Sequence, residues 1–216
     1  MIEVLKQVVA AAYSSLGTAG IVLGAEGNAS VAERSSGIAL VTGTGLHAHE
    51  ATADGIAEVG LHDGAHRSGP APTSELPSHL MLLRAGHGAV IHSHAPHATA
   101  LGLVLDEVPL VLAEQAARAG GAAPVVPYAT PGSDEMALSL AAVLRGPVRA
   151  VVIRNHGLFT VGPDIVSALQ ATLATEEAAR MYLLARSIGE PARVPGHAIA
   201  TLRTLGGITA GPPART

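Results

Sequence analysis

The chain has 216 residues, 48% of them hydrophobic, which is enough to bury the core of one domain. It contains no cysteine, which excludes disulfides, thiolate metal ligands and thiol nucleophiles, and its single lysine, Lys6, lies in the first predicted helix, which argues against Schiff-base chemistry. Thirteen basic and seventeen acidic residues give a net charge of −4, and with four aromatic residues and no basic run the chain is a poor candidate for nucleic-acid binding.

The first half of the chain predicts a helix followed by strands. Apolar residues recur at helical spacing over residues 2–16 and stop at Gly17. Three strands are then predicted, in "GNASVAER", "GIALVTGTG" and "TADGIAEVGL". The polar stretch "HDGAHRSGPAP" predicts a loop that leads into a helix, "TSELPSHLMLLRAG", with Thr73 or Ser74 as its N-cap and Gly86 at its end.

In the second half, strands and helices alternate. "AVIHSH" predicts a strand, and Pro96 begins a short helix, "PHATALGLV". After the extended segment "PVVPYATPG", Ser133 is expected to cap a helix that ends near Leu144. "RAVVIRNHGLFTVG" predicts two strands joined at "NHG", and Asp164 then opens the longest helix, to about Ile188.

This order of elements predicts a single domain over residues 1–216, a layered α/β protein whose helices cover a central sheet, with a frayed tail at 207–216. The pattern does not distinguish a parallel sheet from a mixed one, but the short links before Gly37 and at "NHG" favour antiparallel neighbours, because a parallel crossover needs a dozen or more residues. No apolar run approaches the roughly 18 residues of a membrane span, and the N-terminus lacks a secretory signal pattern. We therefore expect a soluble, cytoplasmic protein.

Three histidines stand close together in "VIHSHAPHATA". On a strand, His92 and His94 point to the same face, whereas Pro96 turns the chain before His97. A metal site needs a third ligand, and His156 is the best candidate because it lies in a glycine-flanked turn after an apolar strand. From the residues alone, a metal site and a coincidence stay equally open.

Four motifs carry a resemblance to the class II aldolase/adducin family, which contains L-fuculose-phosphate aldolase and other sugar-phosphate aldolases: "GNASV", "VTGTG", "PTSELPSH" followed by "AVIHSHAPHATA", and "NHGLFTVG". The resemblance covers almost the whole chain. It implies a three-layer α/β/α domain with a mixed, largely antiparallel central sheet, and a homotetramer with active sites between subunits. It also implies a divalent metal ion, Zn²⁺ in the aldolases, held by His92, His94 and His156, which suits the preference of zinc for neutral imidazole.

The same resemblance implies a phosphate pocket and a catalytic acid/base. Glu75, in "PTSE", matches the acid/base, although a glutamate in a first helical turn otherwise only complements the helix dipole. Amides, hydroxyls, backbone N–H groups exposed by glycine and a helix N-terminus can all bind the phosphate of a sugar substrate. The residues that match the phosphate pocket are Asn28, Thr44, Gly45, Thr73 and Ser74.

Two positions depart from the family pattern, and one of them is Leu205, in "TLRTLGG", where the fuculose-phosphate enzyme has a C-terminal tyrosine. Where the fuculose-phosphate enzyme has a tyrosine that completes a neighbouring subunit's site, this chain has Glu114, in "LAEQAARAGG". We take Glu114 as a candidate catalytic residue that donates a proton to the alkoxide oxygen in place of that tyrosine. The other interpretation is that Glu114 is a solvated helix residue.

The resemblance implies a zinc-dependent lyase that cleaves a ketose 1-phosphate, similar to L-fuculose 1-phosphate, into dihydroxyacetone phosphate and an aldehyde. One alternative is a 4-epimerase, favoured because Glu114 lies near the position where epimerases have an acidic residue, although epimerases have aspartate where this chain has Glu75. A sugar-acid phosphate decarboxylase or dehydratase of the same family is another. A non-catalytic, adducin-like binding module is a different class, but those relatives have lost metal ligands that are all present here.

Overall fold

Seven α-helices and nine strands lie within residues 1–208, the part of the chain that the structure, a computed structural model, describes. The helices are α1 (Ile2–Thr18), α2 (Leu76–Arg84), α3 (Pro96–Gly102), α4 (Ala113–Ala119), α5 (Asp134–Val143), α6 (Ile165–Arg186) and α7 (Gly196–Leu205). The strands are β1 (Gly27–Glu33), β2 (Ile38–Thr42), β3 (Ile56–Gly60), β4 (His66–Ser68), β5 (Ala89–Ser93), β6 (Glu107–Val108), β7 (Ala123–Val126), β8 (Ala150–Ile153) and β9 (Gly157–Gly162).

The predicted tail at 207–216 falls mostly on residues 209–216, which lie outside the described ones. Gly207 and Ile208 are described, and Ile208 is buried. Within residues 1–208, no helix combines the length and the apolar character that crossing a membrane requires.

The strands form one sheet in the order β4-β3-β2-β1-β5-β9-β8-β7-β6. Neighbouring strands are antiparallel except β7 and β8, which run parallel. The prediction of a mixed, largely antiparallel sheet is therefore confirmed. This topology places β1, β5 and β9 side by side in the middle of the sheet.

Helices cover both faces of the sheet, because consecutive side chains of each central strand point to opposite faces and are apolar on both. In β5, Ala89 and Ile91 belong to the apolar core beneath α1, α3 and α6. Val90, between them, belongs to a second core beneath α2 and α5. The structure therefore has the three layers that the family resemblance implies.

Two predicted helix caps are confirmed and one is wrong. Ser133 Oγ accepts a hydrogen bond from the Met136 amide at 3.2 Å, and Asp164 caps α6. Helix α2 begins at Leu76, with Glu75 rather than Thr73 or Ser74 as its N-cap. The reason is that Thr73 closes a separate turn: its carbonyl accepts from the Leu76 amide at 3.1 Å, and its hydroxyl accepts from the Glu75 amide at 3.3 Å.

Strand β4 and helix α7 are among the elements that were not predicted. Strand β4 lies inside the predicted polar loop, and its three residues are exposed. It is an edge strand held to β3 by backbone pairing, so it needs no apolar alternation. Helix α7 buries none of its residues. It is held instead by Arg203, whose Nε donates to the Gly120 carbonyl at 2.6 Å.

Candidate active site

Three adjacent strands bring the predicted histidines together at one end. His92 lies in β5, paired with Asn28 of β1 on one side and Phe159 of β9 on the other. His94 follows directly after β5, which ends at Ser93, and His156 lies in the turn that enters β9. The strand predicted for "AVIHSH" is thus one residue shorter, and His94 is positioned by the chain leaving the sheet.

The imidazoles of His92, His94 and His156 form a compact cluster. One ligand nitrogen from each lies within 4.8 Å of the others, as expected of groups that share a metal ion. Asn155 adopts φ 60°, which turns the chain so that His156 faces the other two rings. A Cβ at Gly157 would stand 2.6 Å from the Ser93 carbonyl and 3.0 Å from His92 Cε1, so only glycine allows this approach.

The tautomer of His92 is fixed by its hydrogen bond. Its Nδ1 lies 3.1 Å from the Leu158 carbonyl oxygen, which can only accept, so Nδ1 carries the proton and Nε2 presents a lone pair. The ring also stacks on Phe159, with centroids 4.2 Å apart. In metal-binding histidines, the ring nitrogen that does not bind the metal usually donates its N–H to a group such as a backbone carbonyl, which fixes the orientation of the ring.

Glu75 faces this cluster and makes it a site for a cation. Its Oε2 lies 3.2 Å from His92 Nε2, and its Oε1 lies 3.4 Å from His156 Nε2. His92 Nε2 and Glu75 Oε1 are buried without a hydrogen-bond partner. The lone pair of His92 Nε2 and the facing Glu75 Oε2 repel each other unless a proton or a metal ion lies between them. The donor set therefore fits a divalent metal ion, with the three imidazoles as its ligands.

The electrostatic state of the histidines suits metal binding. Burial, together with the neighbouring His156 and His94, lowers the pKa of His92 well below its ordinary value of 6.5. Burial also lowers the pKa of His94, and it lowers the pKa of His156 to about 4. At neutral pH the three rings are uncharged and can each offer a lone pair.

Burial has the opposite effect on the carboxyl group of Glu75. It raises the pKa of Glu75 above its ordinary value of 4.5, against the hydrogen bond that Asn28 donates. The raised pKa strengthens the proton affinity of this carboxyl group, which favours a role in proton transfer. Glu75 therefore has both the position and the proton affinity of a general acid/base.

The residues predicted for a phosphate pocket lie beside Glu75. Asn28 Nδ2 donates to Glu75 Oε2 at 2.8 Å and to Thr73 Oγ1 at 3.1 Å. Thr44 is tied to the same segment, because its hydroxyl donates to the Pro72 carbonyl at 2.8 Å. Gly45 adopts φ 73° in the turn after Thr44. Ser74, Thr44 and Gly45 are exposed, whereas Asn28 and Thr73 are buried.

Glu114 is not brought to this cluster within one chain. It is exposed on α4 and lines an open depression of about 580 Å³ with Arg118, Gln170 and Glu177, among others. None of these residues belongs to the histidine cluster. Any catalytic role of Glu114 therefore has to be played in the site of another subunit.

Sequence reasoning missed Glu176, a buried carboxylate of α6 that supports the histidine loop. Its Oε1 accepts from the His97 amide at 3.0 Å and lies 2.6 Å from His97 Nδ1, and its Oε2 accepts from the Ala98 amide at 2.9 Å. Glu176 thus caps α3, which begins two residues after His94. No local pattern marks a partner that lies 79 residues away along the chain.

Comparison with known proteins defines the class to which this fold and site belong. An L-fuculose 1-phosphate aldolase structure superposes with a TM-score of 0.86 and 27% identity over 93% of this chain and 95% of that one. L-fuculose phosphate aldolase of Escherichia coli K12 is 30% identical over 81% of this chain and 80% of its own length. The 5-deoxy-D-ribulose 1-phosphate aldolase of Bacillus thuringiensis serovar kurstaki is 30% identical over 82% and 84%. The architecture is that of class II aldolases.

The family model described as Class II Aldolase and Adducin N-terminal domain matches residues 7–183, which include the three histidines, Glu75 and Asn28. The chain belongs to the class II aldolase/adducin family, and the predicted resemblance is confirmed.

Proposed function

We propose that the protein is a metal-dependent aldolase that cleaves a ketose 1-phosphate into dihydroxyacetone phosphate and an aldehyde. The observation that carries the proposal is the pair of facing acceptors, His92 Nε2 and Glu75 Oε2, 3.2 Å apart. This contact places the proposed cation site next to the buried carboxyl group that is proposed as the acid/base. The relatives that act on L-fuculose phosphate and 5-deoxy-D-ribulose 1-phosphate support the substrate class.

The three imidazoles of His92, His94 and His156 would hold the ion, with Zn²⁺ as the first candidate because neutral nitrogen ligands suit it. When bound, the ion would supply Lewis acidity at the carbonyl oxygen of the substrate. Glu75 gives a proton to C3 of the dihydroxyacetone phosphate half after the C3–C4 bond breaks, and removes the same proton in the condensation direction. The buried position of Glu75 limits the access of water to that proton.

Asn28 and Thr73 are the proposed phosphate-binding residues next to Glu75. Because both N–H groups of Asn28 already donate to Glu75 Oε2 and Thr73 Oγ1, Asn28 contacts a phosphate only by giving up one of these hydrogen bonds. Thr73 Oγ1 already accepts from Asn28 Nδ2 and from the Glu75 amide, which leaves its own O–H as a donor. Thr44, Gly45 and Ser74 add exposed hydroxyl and backbone donors around the same point. These neutral donors bind a phosphate dianion through hydrogen bonds. They bring no cationic side chain to the carboxylate of Glu75.

In the proposed assembly, a homotetramer, active sites lie between subunits and Glu114 of one chain reaches the site of its neighbour. There it donates a proton to the alkoxide oxygen during condensation and accepts that proton during cleavage. Its exposure on α4 supports this role, since a side chain that acts in a partner's site must project from its own surface. A cytoplasmic location stays a prediction.

The reaction is tested by incubating the metal-loaded protein with a panel of ketose 1-phosphates and separating the products. We expect dihydroxyacetone phosphate and an aldehyde from at least one substrate. Exclusive formation of an epimerised or a decarboxylated product would contradict the aldolase proposal and identify one of the family alternatives.

The metal site is tested by ion content. The purified protein should carry about one divalent ion per chain, lost on chelation and after His94→Ala, because two imidazoles hold an exchangeable ion weakly. His62→Ala, at an exposed loop position, is the matched control and should keep the ion. Full metal content in a chain that lacks His92, His94 and His156 would exclude the site.

A further inference from the structure

A chain of buried hydrogen bonds links the acid/base to a histidine that lies outside the metal cluster. Glu75 Oε2 accepts from Asn28 Nδ2 at 2.8 Å, and Asn28 Oδ1 is hydrogen-bonded to His79 Nε2. His79 Nδ1 in turn lies 2.6 Å from Ser30 Oγ. All four residues are buried, and His79 and Ser30 are fully so.

In this series of hydrogen bonds from Glu75 to Ser30, the ionised carboxylate of Glu75 determines which atom donates at each step. An ionised Glu75 only accepts, so the NH₂ group of Asn28 must face it and the amide oxygen must face His79. That oxygen also only accepts, so the proton of His79 is on Nε2. His79 Nδ1 then carries a lone pair, and Ser30 donates its hydroxyl proton to it. One tautomer of His79 is compatible with the amide orientation that serves the site.

His79 is neither a metal ligand nor a charged group. Both of its ring nitrogens are already hydrogen-bonded, to Asn28 and to Ser30. Burial lowers the pKa of His79 to about 3, so the ring stays neutral at any pH near neutrality. What remains for His79 is the fixed N–H that it directs at Asn28.

We propose that His79 is a positioning residue that locks the side-chain amide of Asn28 with its NH₂ group toward Glu75 Oε2 and Thr73 Oγ1, beside the proposed pocket for the substrate phosphate. The proposal rests on the proposed function for the presence of that phosphate. Without the N–H of His79, the Asn28 amide is free to rotate, and its oxygen then faces the Glu75 carboxylate and Thr73 Oγ1, beside the dianion. His79 thereby sets both phosphate affinity and the orientation of Glu75.

Two variants of His79 separate positioning from packing. Glutamine can place an amide N–H near the position of Nε2, whereas leucine fills the space without any donor. We expect His79→Leu to raise KM for a phosphorylated ketose and Kd for inorganic phosphate by roughly 10-fold and to lower kcat by roughly 10-fold. His79→Gln should stay within about threefold of wild type, and both should keep the metal. A leucine variant that binds phosphate as wild type does, or a glutamine variant impaired as much as the leucine variant, would overturn the proposal.

The tautomer of His79 gives a test that needs neither activity nor a leucine variant that folds. Nitrogen NMR of histidine-labelled protein distinguishes protonated from unprotonated ring nitrogens, and the His79→Gln spectrum assigns the signals. We expect a proton on Nε2 and a lone pair on Nδ1, unchanged down to about pH 5. A proton on Nδ1 would sink the proposal. If the wild-type protein binds no phosphate, the proposed function fails, while the tautomer still decides the role of His79.

Discussion

At the scale of single residues, the proposed chemistry depends on Glu75 being both buried and beside the histidine cluster. Glu75→Gln keeps the size of the side chain and an oxygen to accept from Asn28 Nδ2, but removes the capacity to transfer a proton. We expect cleavage of the ketose 1-phosphate and solvent exchange of the C3 proton of dihydroxyacetone phosphate both to fall by about 10²–10⁴-fold. Exchange is followed by proton NMR in deuterated buffer.

Phosphate binding is the control for Glu75→Gln, and its Kd should change little because Asn28 and Thr73 stay in place. The Glu75→Gln protein should also keep its metal ion. Exchange at the wild-type rate in this variant would mean that another group moves the proton, and would refute the assignment of Glu75.

The positions of most candidate residues follow from the sequence, but their hydrogen bonds do not. The period-two alternation of β5 predicts the face of the sheet on which His92 lies. The glycine after His156 indicates that the backbone there closely approaches Ser93 and His92. The link from Asn28 to His79, 51 residues apart, depends on ring tautomer and amide orientation, which exist only once the chain has folded. Glu114 shows the other limit, since the site proposed for it lies outside its own chain.

At the scale of elements, the loop after His94 is held in place by Glu176, which caps the N-terminus of α3. We expect Glu176→Gln to lower the free energy of unfolding by about 1–2 kcal/mol, because the new NH₂ group faces a backbone N–H that loses its acceptor. Urea unfolding of the metal-free protein measures this change. Zinc affinity should also fall, since α3 begins two residues after His94.

The neighbouring residue provides the control for this helix cap. Glu177 pairs with Arg180 at 2.7 Å on the half-exposed face of α6, and such pairs contribute little to stability. Glu177→Gln should therefore change neither the free energy of unfolding nor zinc affinity by a measurable amount. Equal effects of the two substitutions would refute the role of Glu176.

Elements with their own apolar pattern or cap were predicted, and elements held by distant partners were not. Strands β8 and β9 follow from apolar runs on either side of "NHG", and the N-termini of α5 and α6 follow from their capping side chains. Strand β4 and helix α7 lack buried residues of their own. They depend on β3 and on the C-terminal end of α4, so no local pattern reveals them.

At the scale of the whole molecule, the buried histidines make stability depend on pH. Unfolding exposes His79, which then takes up a proton below its ordinary pKa of 6.5, whereas the folded protein keeps the ring neutral down to about 3. The free energy of unfolding of the metal-free protein should therefore fall as the pH drops below about 6.5, with His79 contributing about 1.4 kcal/mol per pH unit. Urea titrations between about pH 4 and 7 should show a shallower slope for His79→Gln. An equal slope in both proteins would contradict this contribution.

Because the proposed active site is assembled from two chains, variants that are defective in different residues should complement each other in a mixed oligomer. If Glu75 of one subunit and Glu114 of its neighbour serve the same site, a subunit carrying Glu75→Gln still offers an intact Glu114 to the next one. A subunit carrying Glu114→Gln still offers an intact Glu75. A mixed oligomer therefore contains sites with both carboxylates, although every chain in it is defective.

We therefore expect activity to return when the two variants are co-expressed or refolded together. With random mixing in equal amounts, about a quarter of the sites are complete, so cleavage should approach a quarter of the wild-type rate, far above either variant alone. Glu114→Gln alone should slow C3–C4 cleavage but spare exchange of the C3 proton, because Glu75 is untouched.

Mixing with a double variant that carries both substitutions is the control, and it restores no site. If the mixture of single variants is no more active than the average of its components, Glu114 does not act across a subunit boundary. If Glu114→Gln cleaves as wild type does, it is a solvated residue of α4.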